Sequence, residues 1–177
     1  MANNNWIIKK DINIRNFDEI INNSIIEKDD LTLKSTRGFL SEQYNLFKDK
    51  HKFNIVVEEI KNELKKINKH IDYNLVAAWT VIGKENSYHT VHRHNDGNLN
   101  HIATVLYLKV PEGNMHQSGD FYYLVNDNDN NISCGTITPK KGTLIIMPID
   151  LLHGSYPQSK GIRQTLNMDF EMVNKDG

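Results

Sequence analysis

One cysteine, Cys134, in 177 residues leaves nothing for an intrachain disulfide framework. A reducing, intracellular compartment is then the default expectation. Long hydrophobic runs are missing as well, so no segment reaches the length of a membrane span. The opening Met1-Ala2-Asn3-Asn4-Asn5 is polar and lacks the apolar stretch of a signal peptide. These absences predict a cytoplasmic protein with no membrane partner. Charge of one sign is also scarce: 21 Lys and Arg face 22 Asp and Glu, for a net charge of -1. That argues against broad nucleic-acid binding by phosphate neutralisation. No Gly-rich phosphate loop and no Ser-His-Asp ordering stands out. What is present is ordinary for a folded protein, with 38% apolar and 24% charged residues. The length suits one domain, 1–177, with a sizeable core.

Within that domain the first third and the remainder follow different patterns. Trp6, Ile8, Ile12 and Ile14 alternate loosely and predict a strand. A short helix is expected around Phe17 to Ile26, with Asn16 as its cap. Residues 27–40, with Asp29, Asp30, Thr36 and Gly38, read as a loop. The strongest helix is 53–68, where Phe53, Val56, Val57, Ile60, Leu64 and Ile67 recur at helical spacing. Residues 1–70 thus read as a helical N-terminal support. From residue 74 onward short runs rich in β-branched and aromatic residues take over: Leu75–Ile82, Ile102–Val110, Phe121–Val125, Thr143–Met147 and Arg163–Val173. Turn signals separate them, with no helices between. This predicts a mainly β sandwich or jelly roll over 75–173, with the N-terminal helices packed on one sheet.

Histidine is concentrated where the chemistry is expected. Five of the eight lie between 89 and 116, and the densest piece reads Tyr88-His-Thr-Val-His-Arg-His-Asn-Asp96. Residues two apart on an extended strand share a face, so His92, His94 and Asp96 can look into one interior. Neutral imidazoles with a carboxylate suit a divalent metal, and two His with one carboxylate is the set associated with non-haem iron(II). Asp96-Gly97 is equally a good hairpin turn, with Asp serving only its turn chemistry. Further on, Pro139 to Gly142 makes a turn, Thr143 to Met147 an apolar strand, and His153 follows a second turn. The strand after it alternates: Gln164, Leu166, Met168 and Phe170 share one face, and Arg163, Thr165 and Asn167 the other. An arginine with a hydroxyl two residues on forms either a solvated face or a lined anion pocket.

This ordered set resembles the iron(II)- and 2-oxoglutarate-dependent oxygenases, in particular their prolyl-hydroxylase-like group and its bacterial and phage relatives. The resemblance is carried by His94-Asn95-Asp96, Tyr107-Leu108, Ser118-Gly119-Asp120, Pro139 to Gly142, His153 and Arg163, and covers roughly 75–173. It implies a double-stranded β-helix that oxidises an unidentified substrate, with release of succinate and CO2. Iron(II), 2-oxoglutarate and dioxygen are the implied cofactor and cosubstrates. His94, Asp96 and His153 would hold the metal, with His92 as the alternative ligand in a His92-x-His94 register. Arg163 would grip the far carboxylate of 2-oxoglutarate, where a planar guanidinium serves well. Thr165 and Tyr107 would complete the cosubstrate pocket, although Tyr107, like Trp79, also fits a core aromatic.

Two other readings compete. A cupin-like metalloenzyme that does not use 2-oxoglutarate would take His92, His94 and His153 and give Arg163 no special duty. A non-catalytic jelly-roll binding module would need no metal. His89 and Tyr88 could line the substrate entrance, but the expectation is a surface loop, and His101 and His116 are expected to be solvent-exposed or in loops. Cys134 has no neighbouring base and reads as inert. Asp169 and Glu171, on the face of Arg163, are expected beyond the mouth of the barrel.

Overall fold

Strict alternation of side chains along the C-terminal strands sets the architecture. The computed structural model describes residues 6–24, 31–33, 41–94, 99–111, 117–126 and 131–174. In chain order these form β1 (Ile8–Asp11), α1 (Phe17–Ser24), β2 (Leu31–Leu33), β3 (Glu42–Asn45) and a 3-10 turn (Phe47–Phe53) that runs into α2 (Asn54–Ile67). The strands β4 (Ile71–Gly83), β5 (His89–His92), β6 (His101–Lys109), β7 (Phe121–Asn126), β8 (Ile132–Ile137), β9 (Thr143–Pro148), β10 (Leu152–Ser155) and β11 (Arg163–Asn174) follow. Seven strands make one antiparallel sheet in the order β1-β9-β6-β11-β4-β3-β2, and four make a second in the order β5-β10-β7-β8. The chain is mainly β, with antiparallel sheets consistent with a jelly roll.

Two apolar clusters lie on opposite faces of the large sheet. Leu106, Leu108, Leu144, Ile146, Leu166, Met168 and Phe170 belong to a cluster shared with Phe17 and Ile21 of α1 and Val56, Ile60 and Leu64 of α2. The alternate residues Ala103, Val105, Tyr107, Ile145 and Met147 join Phe121 of the small sheet in the other. Both faces of β6 and β9 are therefore covered, which is why those strands read as continuous apolar runs. α2 keeps its solvated side outward and ends at Asn68, whose extended backbone (φ -141°, ψ 104°) returns an N–H to the Leu64 carbonyl at 3.2 Å. Lys65 and Lys66 occupy its last turn, where they complement the helix dipole. The Pro139–Gly142 turn closes through Gly142, whose φ of +88° suits glycine; a Cβ there would lie 2.5 Å from the Ile12 carbonyl oxygen.

Several expectations need correction. Part of the segment read as a loop, Leu31–Leu33, is strand and pairs with β3; the remainder of 27–40 lies outside the described residues. β3, β5, β8 and β10 were not predicted as strands. Each is only four to six residues long, and β5, β8 and β10 carry His, Gly or Ser rather than a β-branched run. His101 is not in solvent but 7% exposed, because β6 begins at it and pairs it with Glu171 of β11. His116 lies outside the described residues.

Candidate active site

The small sheet brings the histidines together. β10 pairs with β5 so that His153 stands opposite His92, and with β7 so that His153 also faces Tyr123. His94 lies two residues past the end of β5, and its backbone N–H is anchored on the Ile149 carbonyl at 3.1 Å. One ring nitrogen from each of His92, His94 and His153 falls within 4.8 Å of the others. The ring centroids are 4.4 Å apart for His92 and His153, 4.9 Å for His94 and His153, and 5.2 Å for His92 and His94. Phe121 stacks on His153 and Trp79 packs edge-on against His94, so apolar rings hold two of the three imidazoles in place. Asp96 lies outside the described residues.

Hydrogen bonds fix which nitrogen each ring can offer. Nδ1 of His92 is 2.9 Å from the Thr90 carbonyl, Nδ1 of His153 is 2.9 Å from the Leu151 carbonyl, and Nδ1 of His94 is 2.9 Å from Oδ1 of Asp169. Carbonyls and carboxylates only accept, so each Nδ1 carries a proton, which leaves Nε2 as the atom each ring can offer to a metal. Nε2 of His94 is buried and has no protein partner. Burial is the main force lowering the proton affinity of His92, and it holds His153 well below the ordinary histidine range, helped by His94 and His92. Neutral imidazoles with converging lone pairs are what a divalent metal requires, so the residues present fit one. Tightly grouped imidazoles with orphaned acceptor nitrogens are otherwise costly to bury.

The same cavity continues between the sheets. Its walls include Trp79, His89, His92, Tyr107, Phe121, His153, Ser155, Arg163, Thr165 and Asn167. Arg163 is 4% exposed; its guanidinium donates to the carbonyls of Gly119 (3.1 Å) and Tyr156 (3.4 Å) and to Oγ of Ser155 (2.8 Å). Burial lowers the Arg163 pKa, and the guanidinium of a buried arginine remains charged. Burial pushes the Tyr107 phenol up to about 12, so it stays a neutral donor. Oγ1 of Thr165 accepts from the Asn167 amide at 3.1 Å. The resulting chamber is cationic at one part of its wall and rich in nitrogen lone pairs at another.

The structure thus gathers His92, His153, Tyr107, Arg163 and Thr165 around one cavity, with His94 completing the imidazole cluster at its edge. Four other residues there were not singled out as binding groups in the sequence. His89 is no surface-loop residue: it sits on β5, lines the cavity beside His92 at 4.4 Å between ring centroids, and has its pKa lowered to about 3 chiefly by burial. Ser155, two residues past His153, receives both Arg163 and the His89 backbone N–H. Asn167 was placed on the right face, and Asp169 is not beyond the barrel mouth but buried against His94. Its pairing with β4 runs without a register shift from Arg163 to Asp169, so the alternation that carries Arg163 inward carries Asp169 inward as well. Cys134 is exposed on β8, its Sγ 3.8 Å from the Tyr156 hydroxyl.

No family model and no curated protein matches this sequence. Solved structures do. A viral collagen prolyl hydroxylase from Paramecium Bursaria Chlorella virus-1, in complex with 2-oxoglutarate, aligns over 96% of this chain and 97% of its own at 22% identity and a TM-score of 0.58. A Pseudomonas putida prolyl-4-hydroxylase aligns over 96% and 93% at 12% identity and a TM-score of 0.59. The non-haem α-ketoglutarate-dependent epimerase SnoN from nogalamycin biosynthesis aligns over 93% and 78% at 9% identity and a TM-score of 0.70. At these identities the likeness establishes the fold: this chain folds like 2-oxoglutarate- and iron(II)-dependent oxygenases.

Proposed function

We propose that the protein is an iron(II)- and 2-oxoglutarate-dependent oxygenase whose metal is held by His92, His94 and His153. The observation that carries this reading is the juxtaposition of a three-imidazole cluster, two members of which line the cavity, with a buried, charged Arg163 on another part of the same wall. Iron(II) bound there supplies the capacity to react with dioxygen when 2-oxoglutarate is its partner. The chain's own residues do the rest. Arg163 pairs with the distal carboxylate, its remaining hydrogen bonds to Gly119, Tyr156 and Ser155 fixing the guanidinium plane. Tyr107 and Thr165 add neutral donors beside it. Trp79, Val105 and Phe121 keep water from the chamber. The described part of the N-terminal third adds β1, β2 and β3 to the large sheet and packs α1 and α2 against it, within a single domain.

Hydroxylation of an unidentified substrate is the reaction we assign; solved relatives of the same fold include an epimerase, so the outcome on substrate is set by what the cavity admits. The three-imidazole set also favours a second reading, a cupin-like metalloenzyme without 2-oxoglutarate, in which Arg163 has no cosubstrate to hold. The test is conversion of 2-oxoglutarate to succinate and CO2 by the aerobic, iron-loaded protein. Turnover above that of iron in buffer, lost in both His153→Ala and Arg163→Ala, supports the oxygenase. Metal binding without any such turnover moves the assignment to the cupin-like reading.

The ligand set has its own test. Asp96→Asn is expected to leave iron(II) affinity within about threefold of wild type, whereas His92→Ala lowers it by about tenfold or more. The opposite ranking, measured by competition with a chromophoric chelator, would assign the metal to His94, Asp96 and His153 instead.

A further inference from the structure

The inward face of β11 carries a polar stripe, Arg163, Thr165, Asn167 and Asp169, and each of these residues is buried. Arg163 accounts for one end as an anion grip. Asp169, at the other end, is a carboxylate only 6% exposed. Among the described residues no lysine or arginine pairs with it; its ion-pair partner is His94, at 2.9 Å. Both side chains are nearly out of solvent, at 9% and 5% exposure. A buried carboxylate is costly unless a positive charge sits close by. The far nitrogen of the His94 ring is buried, carries no protein partner and belongs to the triad.

We infer that Asp169 is the positioning carboxylate of the metal centre, acting through His94 in place of a carboxylate bound directly to the ion. It fixes the orientation of the His94 ring, aims Nε2 at the site, and supplies negative charge beside the three imidazoles. The carboxylate in turn obtains from the metal the positive charge that the protein does not give it. The inference rests on the metal site proposed above, yet it makes a separate claim: affinity for the ion depends on a residue that never touches it.

The test uses the full chain, freed of metal, titrated anaerobically with cobalt(II) and read by its visible ligand-field bands, together with thermal unfolding of the metal-free form. Asp169→Asn keeps an acceptor for His94 but removes the charge; Asp169→Ala removes both. The expected result is a loss of cobalt(II) affinity of about 10–100-fold in Asp169→Asn, at least as large in Asp169→Ala, with an unchanged or raised melting temperature of the metal-free Asp169→Asn protein. A purely structural hydrogen bond predicts the reverse, a lower melting temperature and cobalt(II) affinity within about twofold of wild type, and that result overturns the inference. His94→Ala is the control on the site itself. If it binds cobalt(II) like wild type, the metal site is wrong; if it loses the metal while both Asp169 variants keep it, only the role of Asp169 falls.

Discussion

Glu63 shows how much a single buried charge depends on its neighbours. Burial on α2 would raise its pKa, but hydrogen bonds from Lys66 and Lys10 (3.3 Å) outweigh that and the carboxyl ends up below its ordinary value. A carboxyl whose pKa is lowered by folding adds stability above its unfolded pKa, and that contribution is lost as pH falls through the folded value. Glu63→Gln should therefore lower the melting temperature at pH 7, with a loss of about 1 kcal/mol, and the gap to wild type should close below about pH 4. Thermal unfolding of both proteins across that range checks the sign. At this same scale the sequence was partly legible. Arg163 and Thr165 could be placed because they sit in a strongly alternating strand, and His153 because it follows an apolar strand and a turn. His89 and Asp169 were misjudged because their burial depends on pairing between strands far apart in sequence: β5 with β10, and β11 with both β4 and β6.

The elements differ in how openly the sequence announced them. β6, β9 and β11 and helix α2 were all foreseen, since long periodic patterns survive local noise. β5 and β10 were not, although they hold two of the three imidazoles. Their four residues carry no apolar period, and only the partner strand makes them strands. Their junction is tight: a Cβ on Gly154 would lie 2.7 Å from the His89 backbone oxygen and 2.5 Å from the Tyr122 hydroxyl. Gly154→Ala should push β5 from β10, separate His92 from His153, and weaken cobalt(II) binding by about tenfold or more; an affinity equal to wild type would show that the pairing tolerates the shift. The large sheet should respond differently. Phe170 is fully buried in the cluster between sheet and helices, so Phe170→Ala should cost about 3–5 kcal/mol of stability in a denaturant titration. A loss under 1 kcal/mol would mean that the helices do not seal that face.

For the molecule as a whole, the mainly β fold was readable, while the sequence leaves the ligand register open between His92 and Asp96. A His-x-His-x-Asp sequence offers two registers, and strand pairing rather than composition brings His92 opposite His153. The large sheet carries Arg163, Thr165, Asn167 and Asp169 on β11, and His92 and His153 lie on the small sheet. A metal held by the three imidazoles stabilises the folded chain by mass action. At an iron(II) concentration about 100 times the dissociation constant the gain is about 2.7 kcal/mol, or roughly 5–10 °C in melting temperature for a chain of this size. The non-catalytic alternative predicts no such shift.

The central claim, a metal centre that chelates 2-oxoglutarate under the control of Arg163, is tested most directly without knowing the substrate. Metal-free protein is titrated anaerobically with iron(II) and then with 2-oxoglutarate, and the weak visible charge-transfer band of the chelate is recorded. The account predicts that the band appears in wild type, is absent in His153→Ala, and in Arg163→Ala requires about 10–100 times more 2-oxoglutarate. Iron binding with no band at any concentration of 2-oxoglutarate would contradict it.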